Sequence, residues 1–432
     1  MDIKVAQEHS FEVSDLSHGE YKYSRILKQS GGRTETISSA NVESRFIIPS
    51  NCINLSESIL KFTSSITIPN TRATVSFAYR DVLPIQRIQL NTIDGVALCD
   101  LSFVGHYCKA SARAETSNQA LFSSGTDSGN LMTPSSSGGT ANNNKYPNAT
   151  AFQSSNEPLV LQSAANNTAN VINWSVKLGD ALPNTIFALN KSMVFGRELV
   201  LQITWGDRND WGYEATAVTN PATGAVNLAA DVAMSNLGLY VATETDQRII
   251  NTLVNKMRSD GLSIPIDYVH SYRNSQDAGD ATVDVRLSPA HGVTLTKVFH
   301  VIAAGDGKNE RYDTKFTNGE AGSFYTLVND LRRQDYNMDL ATGEDYDYLK
   351  PYLKGSCVSK RSTYQEAWSW VDDFAGKLRN PSNSGVVVGL QIPSSGVSWG
   401  IYVQNQQGRR SHYSYACCQK VLSIKGNMIQ LR

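Results

Sequence analysis

Residues 239–269, LYVATETDQRIINTLVNKMRSDGLSIPIDYV, contain the clearest helix pattern of the chain, with extended patterns on either side. Thr243 followed by Asp246 resembles a loose capping box, which predicts a helix start. Gly261 stands where a C-terminal cap is expected. The apolar residues between them recur at helical spacing: Ile249, Ile250, Leu253, Val254 and Met257. The spacing predicts a linking helix over 243–261 between two strand-rich regions.

The region before this helix is rich in strand patterns. From Leu60 to Ile68 apolar and polar residues alternate, which is typical of a half-buried strand. Residues 85–100 predict two strands that reverse at Asp94-Gly95. Further strands are predicted at Arg45–Pro49, Val171–Leu178, Glu198–Trp205 and Leu237–Ala242.

The region after the helix repeats this style. One short helix is predicted, over Ala321–Arg333. Strands are predicted at Leu262–Val269, Thr282–Leu287, Val293–Ala303, Tyr364–Val371, Gly385–Ile392, Trp399–Gln404 and Lys420–Lys425. Each strand-rich region is long enough for an eight-stranded sandwich.

The sequence therefore predicts an all-β chain of two consecutive sandwiches with minor helices in loops. Residues 1–40 are expected to form an N-terminal arm, 41–242 the first sandwich, 243–261 the linking helix and 262–432 the second sandwich. Within the first sandwich, residues 116–158 are rich in Ser, Gly, Asn and Thr and predict a surface loop insertion.

Charge and composition exclude several classes of protein. The net charge is −1, and the first thirty residues hold four basic side chains against five acidic ones. A protein that coats nucleic acid directly needs a basic patch or tail, so direct genome binding is not predicted. The chain shows neither a membrane-spanning run nor a signal peptide. Its six cysteines lack paired spacing, which predicts buried thiols in a protein made in a cytoplasm.

Two glycine-rich motifs superficially suggest catalysis. Gly396-Val-Ser-Trp-Gly400 matches the nucleophile elbow, but a strand pattern follows it and no Asp or Glu lies between Gly400 and the C-terminus. Gly305-Asp-Gly-Lys308 lacks the first glycine and the final Ser or Thr of a phosphate loop. Both motifs predict turns.

Acidic residues and a His–Cys pair could bind a metal or act in catalysis. Glu344, Asp345 and Asp347 are expected in a loop with solvated carboxylates, and Asp372 and Asp373 would face opposite ways on a strand. His106 and Cys108 would share a face if extended, without a third ligand near in sequence. No catalytic, cofactor-binding or metal-binding residue is therefore predicted, and the chain is not expected to be an enzyme.

Trp368 and Trp370 would share one strand face and could stack a sugar ring, although core or subunit-contact tryptophans are commoner. Three glycosylation patterns begin at Asn148, Asn166 and Asn173 and are expected to be accidental in a chain so rich in Asn, Ser and Thr.

The order of these segments resembles the double jelly-roll major capsid proteins of icosahedral viruses, a lineage that includes the coats of tectiviruses, adenovirus and large algal viruses. Residues 85–98 resemble a hairpin of the first barrel, and 239–269 resemble the junction between barrels. Residues 364–376 and 386–403 resemble late strands of the second barrel. The resemblance is one of layout and covers nearly the whole chain.

The resemblance implies a coat protein that forms homotrimers, each a pseudo-hexameric capsomer that tiles an icosahedral shell. It implies neighbouring capsomers, minor capsid or penton proteins and an internal virion membrane as partners, without sequence-specific nucleic-acid binding. The implied location is the virion, after synthesis in the host cytoplasm. Three alternatives stay open: a carbohydrate-binding sandwich of a receptor-binding or spike protein, a polysaccharide-cleaving β-enzyme, and a penton.

Overall fold

A computed structural model provides the coordinates of the chain. It describes residues 20–29, 32–38, 40–67, 76–79, 83–115, 160–161, 169–215, 226–277, 280, 282–287, 294–304, 322–349, 368–374, 390–391, 398–404 and 409–431. The predicted loop insertion at 116–158 and the motif at 305–308 lie outside these residues.

The first half of the described chain is built from short antiparallel strands. These are β1 (Tyr21–Ile26), β2 (Glu35–Ile37), β3 (Glu43–Ile48), β4 (Cys52–Thr67), β5 (Ser76–Tyr79), β6 (Ile85–Thr92), β7 (Ala97–Ser102), β8 (Val160–Leu161), β9 (Ala169–Lys177), β10 (Met193–Val194), β11 (Leu199–Trp205), β12 (Gly212–Ala215), β13 (Val226–Asn227) and β14 (Val232–Glu244).

The second half contains the remaining strands. These are β15 (Leu262–Gln276), β16 (Thr282–Leu287), β17 (Thr294–Ala304), β18 (Ser323–Val328), β19 (Leu331–Arg332), β20 (Met338–Asp339), β21 (Ser369–Asp373), β22 (Leu390–Gln391), β23 (Trp399–Gln404), β24 (Arg410–Lys425) and β25 (Met428–Leu431).

Short helices lie between the strands. They are α1 (Val104–Glu115), α2 (Leu178–Ala181), a 3₁₀ turn (Ile186–Ala188), α3 (Arg208–Trp211), α4 (Gln247–Ser259) and α5 (Glu344–Leu349). No helix of the described residues is long and apolar enough to cross a bilayer.

Each half forms a sandwich of two main sheets. Sheet 1 has the order β1–β14–β4–β10, with β2 also on β14 and β9 also on β4, and it faces sheet 2, β3–β11–β6–β7. Sheet 3 has the order β15–β24–β17–β21, with β22 on β17 and β25 on β24, and it faces sheet 4, β16–β23–β18–β19, with β20 on β18. A small sheet, β13–β12–β5–β8, completes the first half.

The two halves share one connectivity. If each half is counted as eight successive strands, the first, eighth, third and sixth form one sheet, and the second, seventh, fourth and fifth form the other. That order is a jelly roll. The prediction of an all-β chain with two consecutive eight-stranded jelly-roll sandwiches joined by a short helix is thus confirmed.

Each sandwich has its own aromatic interior. In the first, Phe62 contacts Trp174, Trp205 and Trp211 with ring centroids 5.0–6.0 Å apart. In the second, Phe324 contacts Trp368 and Trp370 at 5.5 and 4.8 Å. Large rings in edge and stacked arrangements each bury a large apolar area and contribute strongly to the stability of such cores.

The linking helix starts later than predicted. Thr243 is still part of β14, and Asp246 is the N-cap, accepting a hydrogen bond from the backbone N–H of Arg248 at 2.8 Å. The helix ends before Gly261, whose φ of +85° is the left-handed conformation that glycine adopts at low cost. The predicted cap chemistry was right in kind, but the residue that performs it is Asp246.

Two other predicted segments differ from the structure. Residues 21–26 and 35–37, assigned to an arm, are strands that pair with β14 at the edge of sheet 1. The helix predicted over Ala321–Arg333 is wrong, because Ser323–Val328 is strand β18 and pairs with β23. Its aromatic and β-branched residues, Phe324, Tyr325, Thr326 and Val328, favour a strand.

Candidate functional site

Two of the carboxylates singled out in the sequence, Asp345 and Asp372, are buried and hydrogen-bonded to core side chains. Asp372 is buried in β21 and accepts a hydrogen bond from Trp399 Nε1 at 2.6 Å, while Asp373, its neighbour, faces the other way and is partly exposed. Asp345 is also buried and accepts from Trp368 Nε1 at 2.8 Å. Each of these two buried carboxylates therefore fixes a core tryptophan.

The electrostatics of Asp372 fit this structural role. Burial raises the pKa of its carboxyl, and the Arg333 guanidinium, 3.7 Å away, acts in the opposite direction. The expected loop around Glu344, Asp345 and Asp347 is wrong, because these residues form α5. Among the residues that the structure describes, no group of three or more His, Cys, Asp or Glu side chains is arranged to hold a metal ion.

Two buried histidines form a chain of polar contacts inside the second sandwich. His412 Nδ1 lies 3.3 Å from His300 Nε2, and His300 Nδ1 lies 2.8 Å from Ser414 Oγ. At the other end, His412 Nε2 lies 3.2 Å from Gln276 Oε1. Burial lowers the pKa of both imidazoles, that of His412 to about 4, so both are neutral at neutral pH.

The serine of the elbow-like motif lies at the start of a strand. Ser398 donates its backbone N–H to Asn329 Oδ1 at 3.1 Å, and β23 begins at the next residue. An elbow requires a helix after the serine, so this geometry does not present a nucleophile. Residues 396–397 lie outside the described part of the chain.

His106 and Cys108 lie on α1, where two residues' separation points the side chains to different faces. His106 stacks on Tyr413, with ring centroids 4.4 Å apart, whereas the Cys108 thiol donates to the carbonyl oxygen of Ala181 at 2.8 Å. The condition under which they would share a face, an extended backbone, is therefore not met.

The cysteines within the described residues are buried thiols, as predicted: Cys52, Cys99, Cys108, Cys417 and Cys418. Burial raises the pKa of Cys52, Cys99, Cys108 and Cys418 to about 12. A thiol with such a pKa is almost fully protonated at neutral pH and is a poor nucleophile.

Trp368 and Trp370 do not form a sugar-stacking platform. Both indoles are fully buried, and Trp370 lies beneath the ring of Tyr348, 5.5 Å between centroids. A sugar platform must be exposed to its ligand, so the carbohydrate-binding alternative that rested on these residues is wrong. Asn173, in the one glycosylation pattern whose asparagine is described, is exposed on β9, where its Oδ1 accepts from Thr63 Oγ1 at 2.9 Å.

The two sandwiches contact each other through α1. Helix α1 follows β7 and covers the outer face of sheet 3. Tyr107 contacts Phe299 and Tyr415 at 6.2 and 5.1 Å between centroids, and Tyr415 Oη donates to the carbonyl oxygen of Phe103 at 3.0 Å.

The edge of the same contact is polar. The backbone N–H of Ser102, in β7, donates to Ser271 Oγ, in β15, at 3.0 Å. The guanidinium of Arg273 lies 5.7 Å from the ring centroid of Phe103, within the range of a cation–π contact. The first sandwich thus packs against one face and one edge of the second.

A second contact joins the sandwiches near the linking helix. A Cβ placed on Gly196 would lie 2.5 Å from the carbonyl oxygen of Gly426, so the two backbones approach more closely than any other residue type allows. Beside them, Arg197 Nε donates to the carbonyl oxygen of Asn427 at 3.2 Å and pairs with Asp94. The sandwiches are therefore held at two separate places.

Sequence reasoning missed α1, which supplies the aromatic part of the contact with sheet 3. Its residues Val104, Tyr107, Cys108 and Ser111 are buried and recur every three to four positions, which is the helical signal that could have found it. The first turn contains no acidic residue, so the usual start signal is missing.

No protein-family model matches the chain, and no curated protein matches it. Solved structures do. A chain of the Sputnik virophage structure, 12% identical, has a TM-score of 0.61 and covers 96% of this chain and 88% of its own. The Faustovirus major capsid protein, 9% identical, has a TM-score of 0.60 and covers 94% of this chain and 90% of its own.

A third structure, the PBCV-1 virus capsid, gives 10% identity and a TM-score of 0.55, with 96% of this chain and 97% of that chain covered. At such identities the likeness concerns the fold. It extends over both sandwiches, so the chain has the double jelly-roll fold that its segment order resembles.

Proposed function

We propose that this double jelly-roll chain is the major coat protein of an icosahedral virus, and that it forms homotrimers which act as pseudo-hexameric capsomers. One observation carries the proposal: two jelly rolls of the same connectivity are held against each other at two places, by α1 and at Gly196. The structures with this fold described above include one virus capsid and one major capsid protein, which supports the same role.

The geometry explains why such a chain would tile a shell. Three copies around a threefold axis place six similar sandwiches in a ring, so a trimer approximates a hexagon. Each interface in the ring is heterologous, with the second sandwich of one copy against the first sandwich of the next. A net charge of −1 lets many copies pack without strong mutual repulsion.

The proposal includes partners and a location. Neighbouring capsomers, minor capsid or penton proteins and an internal membrane are the partners, and the virion is the location after synthesis in the host cytoplasm. It assigns no catalytic step, because Asp345, Asp372, His300, His412 and the thiols described above are buried in core contacts. Binding of a specific nucleic-acid sequence is not part of the proposed role.

The first test is the mass of the purified full-length protein in light scattering after size exclusion. We expect a stable particle of three times 47.3 kDa. Electron microscopy of concentrated samples should show hexagonal particles. A monomer at all concentrations, or a protein that binds glycans as a monomer, would overturn the proposal.

A further inference from the structure

Sheets 1 and 3 hold the same position in their sandwiches, but among the residues that the structure describes only sheet 3 has its outer face covered. Phe299 and Tyr415, on that outer face, are fully buried under α1. On sheet 1 the equivalent face is open to solvent: Tyr23 and Val171 are exposed and Tyr240 is half-buried. Within the described part of the chain, one of two equivalent faces therefore lacks the covering that the other has.

The open face of sheet 1 is defined by the strand register. Tyr23 and Arg25 of β1 are paired with Ala242 and Tyr240 of β14, and Tyr240 with Ile59 of β4. Lys61, Ser175 and Val171 follow on the same side of β4 and β9. Arg25 and Lys61 both lie over the ring of Tyr240, 5.5 and 5.1 Å from its centroid. We call this basic and aromatic surface the open face.

The second sandwich has its own counterpart of α1. Helix α1 follows the fifth strand of the first jelly roll, β7, and α5 follows the fifth strand of the second, formed by β19 and β20. The side chains of Leu331, Tyr336 and Tyr348 are exposed in this region. We call β19, β20 and α5, with the residues between them, the counterpart strip.

We propose that the counterpart strip of one copy covers the open face of the next copy, as α1 and β7 cover sheet 3 within the chain. This rests on the proposed trimer and names the surfaces that form it. In a ring of alternating sandwiches the contact within the chain and the contact between chains are equivalent, so the visible contact is a template for the other. By this template β19 and β20 lie along β1, as β7 lies along β15.

The exposed apolar side chains support this pairing. Eight large apolar residues of the described chain are exposed, and six of them lie on or beside these two surfaces. Tyr23, Leu27 and Val171 belong to the open face or directly follow β1, and Leu331, Tyr336 and Tyr348 to the strip. The other two lie elsewhere: Ile93 is in the turn after β6, and Met428 begins β25, next to Asn427, which contacts Arg197. Apolar patches of this kind mark interaction sites.

The charges of the two surfaces are opposite in sign. The open face carries Arg25 and Lys61 around Tyr240. The strip, residues 331–349, carries five acidic side chains against two basic ones: Asp335, Asp339, Glu344, Asp345 and Asp347 against Arg332 and Arg333. Opposite charges at the rim of a contact speed association and exclude wrong partners, which favours a second copy as the occupant.

The test uses two pairs of substitutions in the full-length protein. Tyr23→Asp with Val171→Asp alters the open face, and Leu331→Asp with Tyr336→Asp alters the strip. Each pair places charge in an apolar contact and should raise the concentration at which the trimer dissociates by more than about tenfold. The matched control is Ile93→Asp with Met428→Asp: Ile93 is 44% exposed against 42% for Val171, and the control should keep the wild-type trimer.

Mixing the two altered proteins gives a sharper result. A heterologous contact lets the intact strip of one protein bind the intact open face of the other once, so the mixture should form a heterodimer that neither protein forms alone. Circular dichroism and cooperative unfolding check that each variant is folded. Lys61→Glu, at an exposed charged position, is the milder variant if a double variant fails to fold, and it too should weaken the trimer.

The outcomes separate this inference from the proposed function. A wild-type monomer overturns the coat-protein proposal. A wild-type trimer that persists in both altered proteins and in Lys61→Glu, or that is lost equally in the control, overturns the assignment of these surfaces and leaves the trimer standing.

Discussion

Sheet 1 and sheet 3 have the same strand order, but their outer faces are covered to different extents. In sheet 1, β14 alternates between buried residues such as Leu237 and Leu239 and more exposed ones such as Tyr240. In sheet 3, β24 is buried continuously from Ser411 to Cys418, because the interior of the sandwich covers one face and α1 the other.

The comparison teaches that a strand's sequence records what covers it rather than where it lies in the topology. The last strand of each jelly roll occupies the same place, yet the stretch Ser411-His-Tyr-Ser-Tyr-Ala-Cys-Cys418 of β24 has no exposed face. A strand covered on both sides loses the alternation of a half-exposed one.

The largest expected effect on the free energy of unfolding comes from replacing a tyrosine on the outer face of the last strand in each of the two sheets. Tyr415→Ala should cost about 3 to 5 kcal/mol of unfolding free energy, because the ring is fully buried under α1 and its hydroxyl donates to Phe103. Tyr240→Ala should cost less than about 1 kcal/mol, since the half-buried ring loses only surface contacts with Arg25 and Lys61. Urea unfolding of dilute protein measures both values.

The stability of the trimer should respond to the two variants in the opposite order. Under the proposed contact, Tyr240→Ala weakens the trimer although it barely changes the stability of the subunit. Equal losses of unfolding free energy in the two variants would contradict the difference between the sheets.

Lowering the pH should destabilise sheet 3, which contains buried histidines, but not sheet 1. Each of β15, β17 and β24 contains one histidine (His270, His300 and His412), whereas the strands of sheet 1 contain none. Burial lowers the pKa of all three, to about 4 for His270 and His412. Below pH 6.5 these histidines bind protons in the unfolded chain but not yet in the folded one, because burial lowers their pKa in the fold. The free energy of unfolding that is present above pH 6.5 is therefore lost as the pH falls towards 4.

Between pH 6.5 and 4, His412 alone should lower the free energy of unfolding by about 3 kcal/mol. His300, His412, Ser414 and Gln276 face one another, so no carboxylate in this chain of contacts offsets the charge. Urea unfolding at several pH values measures the slope, and His412→Gln should reduce it. An unchanged slope in this variant would contradict the assignment.

The smallest expected effect concerns the place where the sandwiches meet at the backbone. Gly196→Ala should cost about 2 to 3 kcal/mol, from a φ of +66° and from the carbonyl oxygen of Gly426, 2.5 Å from the added Cβ. Gly95→Ala is the matched control, since Gly95 has a φ of +91° and open space around its Cβ, and it should cost about 1 kcal/mol. Equal melting temperatures of the two variants would show that this contact adds nothing.

Much of the fold could be predicted from periodicity. Thr282–Leu287 was predicted with the bounds of β16, and the linking helix was predicted within a few residues of α4. Both segments have one buried and one exposed side, so their apolar residues recur with a clear period. The tryptophans at 368 and 370 were expected in a core and are there.

The segments that sequence reasoning missed lie in contacts between elements far apart in the chain. Residues 410–419 of β24 lack alternation because both faces are covered, and β1 is an edge strand whose residues are mostly exposed. The covering helix α1 has a helical pattern, but its significance depends on Phe299 and Tyr415, which lie about 190 and 310 residues away in sequence. Local patterns cannot supply such pairings.

Cys417 and Cys418 are adjacent on β24, so their side chains point to opposite sides of sheet 3. Cys417 shares the side of Tyr415, beneath α1, whereas Cys418 points into the sandwich, and both are fully buried. Alkylating reagents can reach either thiol only after local opening. The order in which the two are labelled would therefore distinguish separation of the sandwiches from unravelling of the second one.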